Sequence, residues 1–165
     1  MPPTLKSLLP MVVKLEARAK AGDILGALRG SPPLLKKAAA RLPARARKRA
    51  RGWSGFDVLC HLLDTEMMNS VRIRKVLSEE VPEIALFDRE TWVRTLRPFR
   101  DADPARVAAR FAALRADNMA ILSGISPRHW LRLGVHPEAG PLTIADLALR
   151  MVRHDAAHLR QILGG

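Results

Sequence analysis

Two histidines four residues apart, His154 and His158, lie in the stretch 151–162, MVRHDAAHLRQI, within a pattern otherwise apolar at helical spacing. On a helix of 3.6 residues per turn, positions i and i+4 differ by only ~40° and stack on one face. The same stripe carries Ile144, Leu147 and Met151 before the pair and Ile162 after it. Both imidazoles are therefore expected to face a core, where a neutral ring needs a hydrogen-bond partner or a metal. A His pair at this spacing can supply two of the three protein ligands of an open metal site. His61 is the candidate for the third. Asp155 lies beside His154 but ~100° round the helix, which turns it outward or into a supporting contact.

Two helices must position these rings. His61 lies about two turns into a helix that opens at Trp53-Ser54-Gly55-Phe56-Asp57-Val58. There Ser54 can cap the amide of Asp57, the Asp57 carboxylate occupies the electropositive first turn, and Trp53 and Val58 take the staple positions. This helix is expected to run to about Ser78, with Val58, His61, Thr65, Met68, Asn69 and Arg72 on its inward face. That stripe is polar for a core, which makes Thr65, Asn69 and Arg72 candidates to line a substrate pocket. The same start signal recurs further on: Thr143 caps, Asp146 takes the third position, and Leu142 and Leu147 form the staple. If the start of the first helix packs beside the end of the second, all three imidazoles converge. A three-His site suits Zn, Ni or another borderline divalent ion, which would lower the pKa of a bound water or of a thiol cosubstrate. No residue stands out as a general base, and Glu66, five positions after His61, is directed away from it.

The rest of the chain reads as further helices. Its 165 residues fit one domain with a real core. A composition 48% apolar, with no Tyr, favours helix over strand. Helical periodicity covers 11–28; Ser31-Pro32-Pro33 reads as a cap opening another helix over 34–42, which Pro43 ends. A long connection over 81–100 contains a short helical turn near 89–96. Asp103-Pro104 opens a helix through Leu122 with Val107, Phe111, Leu114 and Ile121 inside. A second long connection, 124–141, carries Trp130, His136 and the HPEAGP turn. The expected architecture is all-α: a four-helix bundle with long connections (24–165) and a helical N-terminal extension (1–23). One cysteine, Cys60, read as a packed core thiol, rules out an internal disulfide and suits a reducing compartment. With no apolar run near the ~20 residues of a membrane span and no secretory signal, a cytoplasmic protein is expected. His129 reads as a surface residue, His136 as a loop residue, and Trp53, Trp92 and Trp130 as packing anchors.

Three pieces resemble the DinB-like (damage-inducible) metal-binding family, which embraces the YfiT-type proteins: WSGFDVLCHLLDTE, HPEAGPLTIADLALRM and HDAAHLRQI, in the family's order and spacing. With LRGSPPLLKKAAARLP, the likeness covers residues 24–162. The resemblance implies a four-helix bundle whose metal is held by one His on the second helix and an HxxxH pair on the fourth, matching His61, His154 and His158. Similar proteins include thiol S-transferases that use bacillithiol and isomerases that depend on mycothiol. It therefore implies a metal-dependent transferase or hydrolase acting on a small-molecule substrate, with a thiol such as bacillithiol as cosubstrate; a homodimer is compatible with it. Two departures stand out. Asp57 occupies a position where family members commonly carry Glu, and the segment before Trp53 is far more basic than the family pattern.

That basic segment carries the competing reading. Of the formal net charge of +12, nine units fall between Ile24 and Phe56, a window without an acidic residue. Arg45, Arg47, Lys48, Arg49 and Arg51 could neutralise phosphates in a salt-dependent, sequence-independent manner. Interleaved aromatics and a recognition-helix pattern are both missing, which disfavours a nucleic-acid partner. A metal-bearing bundle without catalysis is the third reading.

Overall fold

A computed structural model describes residues 5–20, 22–42, 52–101 and 103–164. A 3-10 turn (Leu5–Leu8) leads into α1 (Leu9–Lys20), α2 (Ile24–Ala39) and α3 (Gly55–Ser78). Then come α4 (Arg89–Leu96) with a trailing 3-10 turn (Arg97–Phe99), α5 (Pro104–Gly124) and α6 (Pro127–Trp130). A hairpin of β1 (Leu133–His136) and β2 (Gly140–Thr143) precedes α7 (Ile144–Gly164). Four long helices form the bundle. α2 and α3 each pack against both α5 and α7, and α1 covers the edge between α2 and α7.

Two apolar clusters fix the helix directions. One joins Leu35 and Ala38 at the end of α2, Phe56 to Leu62 at the start of α3, Phe111 early in α5, and Leu159 and Ile162 late in α7. The other joins Leu28, Ile73, Leu122, Ile144 and Leu147, the opposite ends of the same helices. So α2 runs with α7, and α3 runs with α5 against them. Neighbours that run parallel, as α3 and α5 do, need a long return connection, and the α4 segment supplies it. The start of α3 consequently lies beside the end of α7, the polarity that a convergence of His61 with His154 and His158 requires.

Local chemistry sets the boundaries. At α3, the Ser54 hydroxyl accepts from the Asp57 amide (3.1 Å) and the Asp57 carboxylate accepts from the Ser54 amide (2.9 Å). At α7, Thr143 and Asp146 form the same reciprocal pair at the same two distances. Asp103 caps α5 through the Ala105 amide (2.9 Å). α1 contributes Val12 and Leu15 to the core and is tied to α7 by an Arg160–Glu16 ion pair.

Two expectations are corrected. The break after α1 falls at Gly22 and Asp23, not at Ser31: Gly22 has φ +85°, and Asp23 accepts from the Gly26 amide at 2.8 Å. α2 then continues through Pro32 and Pro33. A helical proline leaves the carbonyl four residues earlier without its amide donor; here that carbonyl, Leu28, accepts from Arg115 Nη1 at 3.2 Å. The connection before α7 is also not purely irregular. Leu133 pairs with Thr143 and His136 with Gly140, closing a three-residue loop, and Gly140 just after it takes φ +72°. Val135 further bonds Pro82 O and Ile84 N, both at 2.9 Å, stitching the α3–α4 connection to the hairpin. The basic residues Arg45, Arg47, Lys48, Arg49 and Arg51 lie outside the described residues.

Candidate metal centre

α3 and α7 bring His61, His154 and His158 together, with one ligand nitrogen of each within 4.8 Å of the others. His61 Nε2 and His154 Nε2 face one another at 2.9 Å. Ring centroids are 5.0 Å apart for His61 and His154, 4.8 Å for His61 and His158, and 4.4 Å for His154 and His158. Ligand bonds of ~2.0–2.1 Å in tetrahedral geometry separate donors by about 3.3 Å, inside this spread. His158 Nδ1 donates to Gln161 Oε1 at 2.9 Å, which leaves its Nε2 with a free lone pair, as a metal ligand requires. His61 Nδ1 is buried and has no hydrogen-bond partner among the described residues. One shared proton satisfies the close approach of His61 and His154; a cation satisfies all three rings at once.

Burial governs the protonation of the group. It pushes His61 down to about 3, assisted by the charges of His154 and His158. It pushes His154 down to about 3 as well, assisted by His158 and Arg115. His158 is also lowered by burial, opposed by its bond to Gln161 and by Asp155. At neutral pH all three are unprotonated, the state in which imidazole ligates. Trp53 covers the triad, its ring 4.8 Å from His61 and 6.3 Å from His158, while its Nε1 donates to Glu90 Oε2 at 3.0 Å. Phe87 stacks against His61 from the α4 side at 6.3 Å.

His61 and His154 of the triad open into a cleft of about 560 Å³ between α3, α7, the α4 segment and the hairpin. Thr65, Asn69 and Arg72 all line it. Thr65 Oγ1 lies 3.5 Å from His61 Nε2. Arg72 donates from Nε and Nη2 to Ala85 O (3.0 and 2.8 Å), and from Nη1 to Asn69 Oδ1 at 3.4 Å. Reasoning from the sequence passed over several other contributors. Trp53 does more than anchor packing, since it roofs two of the imidazoles. Gln161 orients His158 and was discoverable at i+3 from it. Arg150 stands four residues before His154 on the same stripe and lines the cleft. His136 lines the cleft; it is the last residue of β1, paired with Gly140, and not the loop residue expected, because the hairpin turn begins only after it. Cys60 is buried, its thiol pushed up to about 11 by burial, and lines a separate hollow with Phe99 and Arg100.

Asp155 and Glu66 both turn inward. Arg115 Nε and Nη2 donate to the two oxygens of Glu66, each at 2.8 Å, and Nη1 donates to Asp155 Oδ2 at 2.8 Å. Asn118 Nδ2 completes Glu66 at 2.8 Å. The outward option for Asp155 is thus excluded: it is 3% exposed, held by a guanidinium from α5.

A sequence model of the DinB superfamily matches residues 27–162. The chain is 27% identical over 115 residues to a Bacillus subtilis protein named "Putative metal-dependent hydrolase YfiT", an alignment spanning 67% of this chain and 64% of that one. It thus spans just under two thirds of that relative. A Bacillus licheniformis protein given the same description is 29% identical over 142 residues, 84% of this chain and 80% of its own length. Among solved structures, YfiT from Bacillus subtilis, described as "a probable metal-dependent hydrolase with an unusual four-helix bundle topology", superposes with a TM-score of 0.73 at 26% identity. That superposition covers 86% of this chain and 84% of the other.

Proposed function

The chain belongs to the DinB superfamily, and on that footing we propose that it is a metal-dependent enzyme for small molecules, its divalent ion held by His61, His154 and His158. What carries the reading is the convergence of three unprotonated imidazoles, two of which line a cleft sized for a small ligand. The donor set, three neutral nitrogens, suits Zn or Ni. When bound, such an ion lowers the pKa of water or of a thiol, so that either becomes a nucleophile near neutral pH. The names of the Bacillus relatives favour water and hydrolysis; a low-molecular-weight thiol such as bacillithiol is the other nucleophile the site would accept.

The chain's own residues divide the remaining work. Gln161 holds the His158 tautomer, with its proton on Nδ1. Trp53 and Phe87 keep water off His61 and stiffen the aromatic wall. Thr65 places a hydroxyl beside His61 Nε2, where it can hold an incoming polar group in line with the triad. Asn69 and Arg72 extend the same wall with polar groups for orienting a substrate.

Elemental analysis of protein purified without a His tag tests the site: one divalent ion per chain is expected, and none in His158→Ala. Equal content in both removes the triad as the site. Turnover is then compared with and without added metal, for ester or amide hydrolysis and for thiol addition to an epoxide or alkyl halide. No metal-dependent rate in either class overturns the enzymatic reading.

A further inference from the structure

The part of the cleft away from the triad has a chemistry of its own. Arg150 lies one helical turn before His154 on the α7 stripe, and Arg72 faces it from α3; both line the cleft. His136 joins them from the hairpin. Its Nδ1 accepts from the amides of Glu138 and Ala139, both at 3.2 Å. The ring proton is therefore on Nε2, which is left to donate. Arg72 uses Nε and Nη2 on Ala85 O and makes only a long contact from Nη1, so guanidinium N–H groups remain unspent. Among the described residues no ion pair involves Arg72 or Arg150.

The acidic residues of the same cleft are engaged elsewhere or form no ion pair with this group. Asp88 accepts from the Thr91 amide and hydroxyl at 3.0 and 2.6 Å. Glu90 accepts from Trp53. Glu138 acts on His136 from the loop but forms no ion pair with either arginine. Arg150 and Arg72 are near enough that the charge of Arg150 helps lower the pKa of Arg72, after burial, and both act on His136. Asp146, one turn before Arg150, feels its charge but is engaged with Thr143. Two guanidinium groups and an imidazole N–H are thus gathered without an ion pair among the described residues, and an oxyanion supplies one directly.

We infer that Arg150, Arg72 and His136 form an oxyanion subsite, taking a carboxylate or phosphate of a substrate whose reacting group lies against the three histidines. Four residues of helix rise about 6 Å, so the acidic group and the reacting atom lie about one helical turn apart, the span of a short-chain acid. The subsite rests on the proposed enzymatic function only for the placing of the reacting group; the anion site itself needs no metal.

The first measurement uses full-length, metal-free protein titrated with inorganic phosphate and, separately, with succinate, followed through the His136 ring resonances. Saturable binding of one or both is expected. The stronger of the two identifies the anion. Arg150→Gln, an exposed position that leaves the core intact, is expected to weaken binding at least about tenfold, whereas Arg128→Gln on α6 leaves it unchanged. Equal affinity in wild type and Arg150→Gln, or equal losses in both variants, overturns the subsite. The second measurement compares 3-mercaptopropionate with ethanethiol on metal-loaded protein. The acid is expected to bind at least about tenfold more tightly, and that preference disappears in Arg150→Gln. If no metal loads, the function proposed above fails while the first measurement still reads the subsite. If metal loads but the two thiols bind alike, the subsite fails and the metal centre stands.

Discussion

α3 and α7 each carry two polar residues side by side, and the two pairs meet very different fates. Thr65 and His154 face the cleft; their neighbours Glu66 and Asp155, ~100° round each helix, face the middle of the bundle. The inner cluster is closed. Arg115, Glu66, Asp155 and Asn118 are at most 3% exposed, and among them the Arg115 fork, both Glu66 oxygens and the Leu28 carbonyl are all engaged. Burial opposes the Arg115 charge, but two carboxylates overrule it and raise its pKa. The outer cluster is open. His61 keeps an orphan nitrogen and His158 an unspent lone pair, and among the described residues no carboxylate bonds the group. A polar cluster with every bond spent locks helices together, whereas one with valences left over waits for a ligand.

The largest expected difference between the two clusters comes from breaking the closed one. Arg115→Met leaves two carboxylates buried without a partner and the Leu28 carbonyl without a donor, and is expected to destabilise the fold by about 3–5 kcal/mol. Urea denaturation at pH 7 measures it. Adding Glu66→Gln and Asp155→Asn to the variant is expected to recover part of the loss, because the stranded charges go with them. A loss below about 1 kcal/mol for Arg115→Met alone refutes the role given to the network.

Acid is the next largest perturbation, and it acts on the open cluster. His61 and His154 titrate at about 3 in the fold, against an ordinary value of 6.5. Between these values the unfolded chain binds protons that the folded chain refuses. Stability of the metal-free protein is therefore full above pH 6.5 and falls as pH drops towards 3. The limiting slope is about 1.4 kcal/mol per pH unit for each fully buried histidine, and less for the half-buried His154. Urea midpoints at pH 7, 6, 5 and 4 in the presence of a chelator test this, and a flat profile through pH 4 contradicts it. With metal loaded the fall steepens, since protons and metal compete for the same nitrogens.

How much of this was legible in the sequence depends on the range of the interaction concerned. The capping pairs at Ser54–Asp57 and Thr143–Asp146 are local, and residue types three apart sufficed to place the starts of α3 and α7. The triad was legible because an i, i+4 His pair and His61 both fall on apolar stripes. The continuity of α2 through Pro32 and Pro33 was not, because the donor that satisfies the Leu28 carbonyl is Arg115, 87 positions from Leu28 in sequence. Helical spacing likewise could not say that Arg115, Glu66 and Asp155 would meet, since they come from three helices and spacing along one helix does not name a partner on another. The hairpin was hidden for another reason: two four-residue strands containing Gly134, Gly140 and Pro141 are too short for alternation to register. Gly134 owes its place to close approach, as a Cβ there would lie 2.8 Å from Pro82 O.

The smallest perturbation falls on the boundary between the two clusters, at Thr65. Its hydroxyl lies 3.5 Å from His61 Nε2, at the limit of a hydrogen bond. Val has nearly the same shape and only the hydroxyl is lost. In a closed network such a change strands a partner, as Arg115→Met does. Here nothing is stranded, because His61 Nε2 still faces His154 at 2.9 Å. Thr65→Val is therefore expected to shift folding stability by less than about 1 kcal/mol. The hydroxyl approaches the nitrogen that would ligate, so it competes for the lone pair and does not orient the ring from behind. Metal affinity in Thr65→Val is then expected to stay within about threefold of wild type, short of the roughly 10–100-fold that loss of a ring-orienting partner costs. Gln161→Ala, which removes the partner on the far side of His158, supplies that contrast. Competition titration against a chromophoric chelator reads both variants. If Thr65→Val loses as much affinity as Gln161→Ala, Thr65 belongs to the support of the site, and the cluster is less open than its unspent valences indicate.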